Sequence, residues 1–215
     1  MIKNFDKIIN EIKKMNLPYT DFVRFMEDIH DPFIVLIACI LSLRTNDKTT
    51  YPATMRMLEL GKSPKDFLTV ELEDMEKAIY PVGFYKNKAK QILDISKELY
   101  YNYNSVVPKE IDELIKFKGV GRKTANLVQA KGYGLPSICV DVHVHRISNR
   151  LGLCSTKEPE ETEFALKSNL PKNSWSEINT LFVTLGQNIC KPQKPDCKQC
   201  TLQQYCTFYK NNLLF

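Results

Sequence analysis

The chain has little of what would place it in a membrane or a secretory route. Its longest apolar run, Phe33–Leu41, is nine residues, and a membrane-spanning helix needs roughly 20. The first fifteen residues offer no apolar core, because Lys3, Asp6, Lys7, Glu11, Lys13 and Lys14 interrupt them; a secretory leader is therefore not expected. Internal repeats, low-complexity tracts, collagen periodicity, long blocks of like charge and linkers rich in proline or serine are all missing. Those absences exclude fibrous and wholly disordered classes.

What remains is ordinary globular material: 215 residues, 43% apolar and 26% charged. That is enough for one large domain or two small ones with a real core. The net charge of +5 is mild, but it is not spread evenly. Between Leu114 and Val140 lie Lys116, Lys118, Arg122, Lys123 and Lys131 and no acid, so the excess sits in that segment. The cysteines are uneven too, four of the seven falling between Cys190 and Cys206. Without a secretory leader, thiols or metal ligands are expected in preference to disulfides, and the expected location is cytoplasmic.

Helix signals recur along the length. Phe5, Ile8, Ile9 and Ile12 have helical spacing. Asp31-Pro32 puts a capping carboxylate before a proline at a helix start, ahead of Phe33–Leu43, and Ser63-Pro64 with Asp66 repeats the device. Ala89, Ile92, Ile95 and Leu99 form one apolar stripe among charged residues. Val140 to His145 alternates like a strand, but no partner strand is evident, and a helix capped by Asp141 with Val142, Ile147 and Leu151 turned inward competes with it. The expected fold class is all-α.

From Leu114 to Ala125 the chain reads as a helix end, a glycine turn and a second helix opening near Arg122. Gly119 and Gly121 permit positive φ and close approach of another backbone. The unpaired first amides of a helix, with Lys116, Lys118, Arg122 and Lys131 around them, suit an anion. Here the natural anion is a nucleic-acid phosphate, contacted without reading base edges. A plain helical corner with solvated lysines is the competing interpretation.

Cys190-x6-Cys197-x2-Cys200-x5-Cys206 reads as a ligand set. The spacing itself leaves zinc and iron–sulfur open, since it has one C-x2-C pair where zinc ribbons have two and lacks the ferredoxin run C-x2-C-x2-C.

Phe117-Lys-Gly-Val-Gly-Arg-Lys-Thr-Ala-Asn126, Val140-Asp-Val-His143 and the cysteine spacing together resemble the helix-hairpin-helix DNA glycosylases, and among them the endonuclease III family. The resemblance runs from about Pro32 to Cys206. It implies a two-lobed helical protein with DNA in the cleft. An N-terminal helix (1–23) would pack with the cluster lobe (136–215), and a lobe of roughly six helices (24–135) would carry the hairpin at about 111–131. It implies a [4Fe–4S] cluster on Cys190, Cys197, Cys200 and Cys206, and a monomer acting on double-stranded DNA with a damaged base or abasic site. It also implies a bifunctional activity, excising oxidised pyrimidines and then cutting the strand, with Lys123 as nucleophile and Asp141 as its carboxylate partner.

Such a lysine must be neutral to attack, although its reference pKa is about 10.4. Arg122, Lys118, the positive helix end and partial desolvation would favour the neutral amine. By the same resemblance, Lys118, Gly119, Gly121 and Arg122 contact the backbone, as do Lys191 and Lys194 of the cysteine loop. Arg44 and Phe84 would enter the duplex as plug and wedge, where well-known members often carry glutamine and leucine. His143 and His145 receive no role, and Cys39 is expected to be a small core residue.

Overall fold

The computed structural model describes residues 4–212, and every regular element among them is helical. Residues 1–3 and 213–215, the outermost of the expected cluster lobe, lie outside the described residues. Two compact units divide the chain: residues to Tyr19 with those from Pro136 onward, and Thr20–Leu135.

Helix α1 (Phe5–Lys14) turns Phe5, Ile8, Ile9 and Ile12 inward, as their spacing requires, and joins the core of the first unit. The central unit starts with α2 (Asp21–Asp28), where Thr20 Oγ1 accepts from Val23 N at 3.2 Å and donates to Asp47 Oδ2 at 2.7 Å. These bonds tie Thr20 to the central unit, so the boundary falls before it and not at residue 23, which would cut α2.

Helix α3 (Pro32–Ser42) is capped by Asp31, whose Oδ1 accepts from Phe33 N at 2.8 Å and Ile34 N at 2.9 Å. It carries no charge, and Phe33–Leu41 is buried on every side. A helix apolar all round has to sit at the centre. α4 (Asp47–Leu60) packs on it, followed by α5 (Leu72–Ile79), α6 (Tyr85–Asn102), α7 (Ile111–Leu114) and α8 (Arg122–Leu127). α8 runs on into a π turn, Val128–Gly132, where Tyr133 N reaches Val128 O at 3.2 Å. Seven α-helices thus make the central unit, where about six were expected; α7 and α8 are short arms of one hairpin.

Ser63-Pro64 does not open an α-helix. Asp66 Oδ2 accepts from Lys62 N and Ser63 N at 3.0 and 2.9 Å, closing a loop that passes into a single 3-10 turn, Asp66–Thr69.

The chain returns to the first unit with α9 (Val142–Leu151), α10 (Pro159–Asn169), α11 (Trp175–Asn188) and α12 (Thr207–Asn212). The Val140–His145 alternation resolves as a helix start: Asp141 caps α9, and Val144, Ile147 and Leu151 are buried. Val142, expected inward, is 68% exposed because it occupies the first helical position, off the buried stripe.

Candidate active site and metal centre

The hairpin is built around two glycines with different jobs. Gly119 has φ +77°, and a Cβ there would lie 2.6 Å from Gln91 Nε2. Gln91, on α6, donates that amide to Lys118 O at 2.7 Å and so fastens the turn to the unit. Gly121 is extended at φ −102°, and a Cβ there would meet nothing within 4 Å. One glycine is needed by the fold, and the other leaves open space in front of α8.

Lys123 is half-buried near the start of α8, with Nζ 3.7 Å from Cys39 Sγ. Cys39 is fully buried in α3 and lies 3.5 Å from Thr124 Oγ1. The expected core role of Cys39 therefore comes with a contact to the lysine.

The basic segment is less uniform than its composition suggests. Lys118 is exposed on the turn and Arg122 is half-buried. Lys116 pairs with Glu113 at 2.6 Å, and Lys131 is 8% exposed and pairs with Glu27 at 2.5 Å. Lys131 therefore does not belong to the hairpin's outer face, a correction to the reading that grouped it there. It lies buried within the π turn.

Arg44 and Phe84 lie together in the central unit. Both are non-glycine residues in the left-handed region, at φ +54° and +58°, a conformation costing about 1–2 kcal/mol each. Arg44 is exposed, Phe84 is 62% exposed, and the guanidinium carbon stands 6.0 Å from the ring centroid. Phe84 is therefore not a core residue, and the exposed pair stands at the outer limit of a cation–π contact.

In the other unit Asp141 is the N-cap of α9. Its Oδ1 accepts from His143 N at 2.9 Å and Val144 N at 2.8 Å, and Oδ2 takes no part in either bond. Capping fixes the carboxylate and leaves one oxygen for other work. His145 Nδ1 is 2.7 Å from Thr162 Oγ1, and His143 Nδ1 is 3.1 Å from Arg146 Nη2; both are tied into the unit.

Cys190, Cys197, Cys200 and Cys206 line one cavity with Ile147, Leu185 and Leu202. Two arginines of α9 organise its rim. Arg146 donates to Cys190 O from Nε at 3.2 Å and Nη2 at 2.9 Å. Arg150 donates to Cys190 Sγ at 3.3 Å, Lys191 O at 2.7 Å and Pro192 O at 2.8 Å, and covers the Phe208 ring at 4.6 Å. Burial pushes the Cys200 thiol up to about 11, and those of Cys197 and Cys206 rise for the same reason. No three His, Cys, Asp or Glu side chains among the described residues converge as ligands of a single ion. Lys191 and Lys194 are exposed on this loop, Lys194 with φ +48°.

Residues 37–172 match the HhH-GPD superfamily of base excision DNA repair proteins. The chain is 46% identical over 180 residues to endonuclease III of Thermotoga maritima, covering 84% of each chain. It is 40% identical over 177 residues to that of Bacillus subtilis, covering 82% of this chain and 81% of the other. The chain belongs to the endonuclease III family. Its fold superposes on a trapped endonuclease III–DNA covalent intermediate with TM-score 0.85 at 35% identity, covering 99% of this chain and 100% of that one. A non-covalent endonuclease III–DNA complex gives 0.86 at 34% identity, with both chains fully covered. No helix of the described residues is long and apolar enough to cross a membrane.

Within this endonuclease III framework, Lys118, Gly119, Gly121, Arg122 and Lys123 share the hairpin, Arg44 and Phe84 share an edge, and the four cysteines share a cavity. Asp141 belongs to a different unit from Lys123. Sequence reading missed Gln91, Lys88, Arg146 and Arg150. Lys88 left a signal: it falls on the same helical stripe as Ile92, Ile95 and Leu99, where a lysine is out of place.

Proposed function

We propose that this protein excises oxidised pyrimidines from double-stranded DNA and cleaves the strand at the resulting abasic site. The observation that carries the reading is the hairpin, with Gly119 fastened to Gln91, open space before Gly121, and Lys123 half-buried just beyond. Lys118, Arg122 and the α8 amides take backbone phosphates there, and Lys191 and Lys194 take others.

The Lys123 amine attacks C1′ of the deoxyribose, and the C1′–N bond pair leaves with the base, which gains a proton. Ring opening gives a Schiff base between Lys123 and C1′. Loss of the C2′ proton then expels the 3′ phosphate, and hydrolysis frees the lysine. Asp141 acts through Oδ2, accepting a proton from the amine and facing positive charge as it develops on the sugar. Arg44 fills the gap left by the extruded nucleotide and Phe84 wedges the stack, an opening that costs a few kcal/mol. Arginine can give guanine two hydrogen bonds, so lesions opposite guanine are preferred.

A [4Fe–4S] cluster is the group proposed for the cysteine cavity; the reading is supported by four cysteines lining one space, a guanidinium beside Cys190, and Ile147, Leu185 and Leu202 as an apolar wall. Bound there through Cys190, Cys197, Cys200 and Cys206, it would serve as a cross-link that orders the loop.

Borohydride reduction during turnover of abasic DNA tests the nucleophile. Wild-type protein should be captured covalently and Lys123→Ala should not; capture by the alanine variant overturns the assignment. A panel of lesion duplexes with each opposite base tests substrate and plug, and indifference to guanine removes the Arg44 reading.

A further inference from the structure

Lys88 is 6% exposed, yet it ends in an ammonium. Its Nζ donates to Leu41 O at 2.9 Å, Leu43 O at 2.5 Å and Thr45 Oγ1 at 3.2 Å. Three donors meet three acceptors, all of them neutral oxygens. Burial without a carboxylate is unfavourable to the charge and lowers the Lys88 pKa to about 8. Methionine or leucine would complete the stripe of Ile92, Ile95 and Leu99 at no such cost, so packing does not account for this residue.

The geometry accounts for it differently. Two of the acceptors flank Arg44 directly, and the third, Leu41, lies in the last turn of α3. Thr45 Oγ1 also accepts from Gly83 N at 3.2 Å, the residue before Phe84. Phe84 O in turn accepts from Lys88 N at 3.1 Å, one helical turn away. The Arg44 loop and the Phe84 turn, 40 positions apart in sequence, are thus joined by one ammonium and one hydroxyl.

We propose that Lys88 is a positioning residue for strand opening. With Thr45 it clasps the Arg44 loop to the Phe84 turn, so that plug and wedge enter the duplex at a fixed separation. The proposal rests on the reading that Arg44 and Phe84 enter DNA, and two substrates separate the failure of one from the failure of the other. Single-turnover borohydride trapping is measured on an abasic site in a paired duplex and on one in a loop of three mismatches, where the stack is already open. The readout is the ratio of the two rates.

Lys88→Met should lower that ratio about tenfold, as a displacement near 1 Å at an inserted group can. Thr45→Ala, a change in a partly exposed loop, should lower it about threefold, and it decides the matter by itself if the Lys88 variant does not fold. Arg44→Ala and Phe84→Ala should lower it too. If only these last two do, the clasp is wrong and insertion stands. If all four variants keep the wild-type ratio, insertion is wrong as well. A Lys88→Met protein slowed equally on both substrates has lost general structure, which overturns the positioning role. So does a fall for Lys88→Met while Arg44→Ala and Phe84→Ala stay at wild type.

Discussion

Helix α3 and the cysteine segment stand at opposite ends of how a chain can be held. In α3, Phe33 to Leu41 are all buried, so apolar packing holds the body of the helix. From Cys190 to Asn212 the only buried residue is Leu202. That stretch is secured by hydrogen bonds from Arg146, Arg150 and Gln203 and by what its four thiols can bind. The first region orders itself through solvent exclusion; the second needs chemistry to stay in place. Phosphate contacts are proposed on the cysteine segment and on the hairpin, whose α8 packs against α3, so the same DNA depends on two kinds of stability.

The comparison can be sharpened by changes that separate chemistry from structure. Asparagine caps helices as well as aspartate, so Asp141→Asn should leave the melting temperature in place. Its single-turnover excision should nevertheless fall roughly 10²–10³-fold. A matching loss of stability would reduce Asp141 to a cap.

Next in size is the cysteine segment itself. Cys200→Ser should abolish iron and sulfide content and cost at least ~3 kcal/mol of ordering in residues 190–212. Proteolysis should then cut that segment first and spare residues 20–135. Protection equal to wild type would mean the segment stands on hydrogen bonds alone.

The glycines give a smaller contrast within the hairpin. Gly119→Ala should destabilise the protein by about 1–3 kcal/mol, because it meets both a left-handed φ and Gln91. Gly121→Ala should stay within ~0.5 kcal/mol of wild type in denaturant titration, while still weakening duplex binding. Equal stability losses would contradict the open face in front of α8.

The smallest effect concerns charge. Lys118→Met should reduce the slope of log affinity against log salt by about 1. Lys131→Met should leave it unchanged, because Lys131 is buried against Glu27. A change in slope for Lys131 would place it at the DNA after all.

The legible parts of the sequence were those in which one physical rule acts locally. Asp31-Pro32, the α1 stripe and the Asp141 cap all form as their spacing implies, since capping and amphipathicity are settled within a turn or two. The cysteine set was visible as a set but not as zinc or iron–sulfur, because spacing records order along the chain and not the span between sulfurs. Ser63-Pro64 misled because the carboxylate of Asp66 folds back onto Lys62 and Ser63, a local bond that competes with helix. Lys131 misled because charge was counted along the chain, while its partner Glu27 is distant in sequence. Lys88 shows the same limit, since its acceptors come from α3 and the loop after it, and no window around residue 88 contains them.

The π turn at the end of α8 gives the hairpin a tolerance in length. Its far end is fixed where Gly132 crosses Pro32, closely enough that a Cβ would lie 2.6 Å from the proline Cα. Its near end is fixed by Gln91 at the glycine turn. A run of regular helix between two such anchors would have to fit both by chance. The wide turn from Val128 to Gly132 accommodates one extra residue and absorbs the misfit, so the phase of Lys123 can be set by the turn ahead of it and not by the anchor behind.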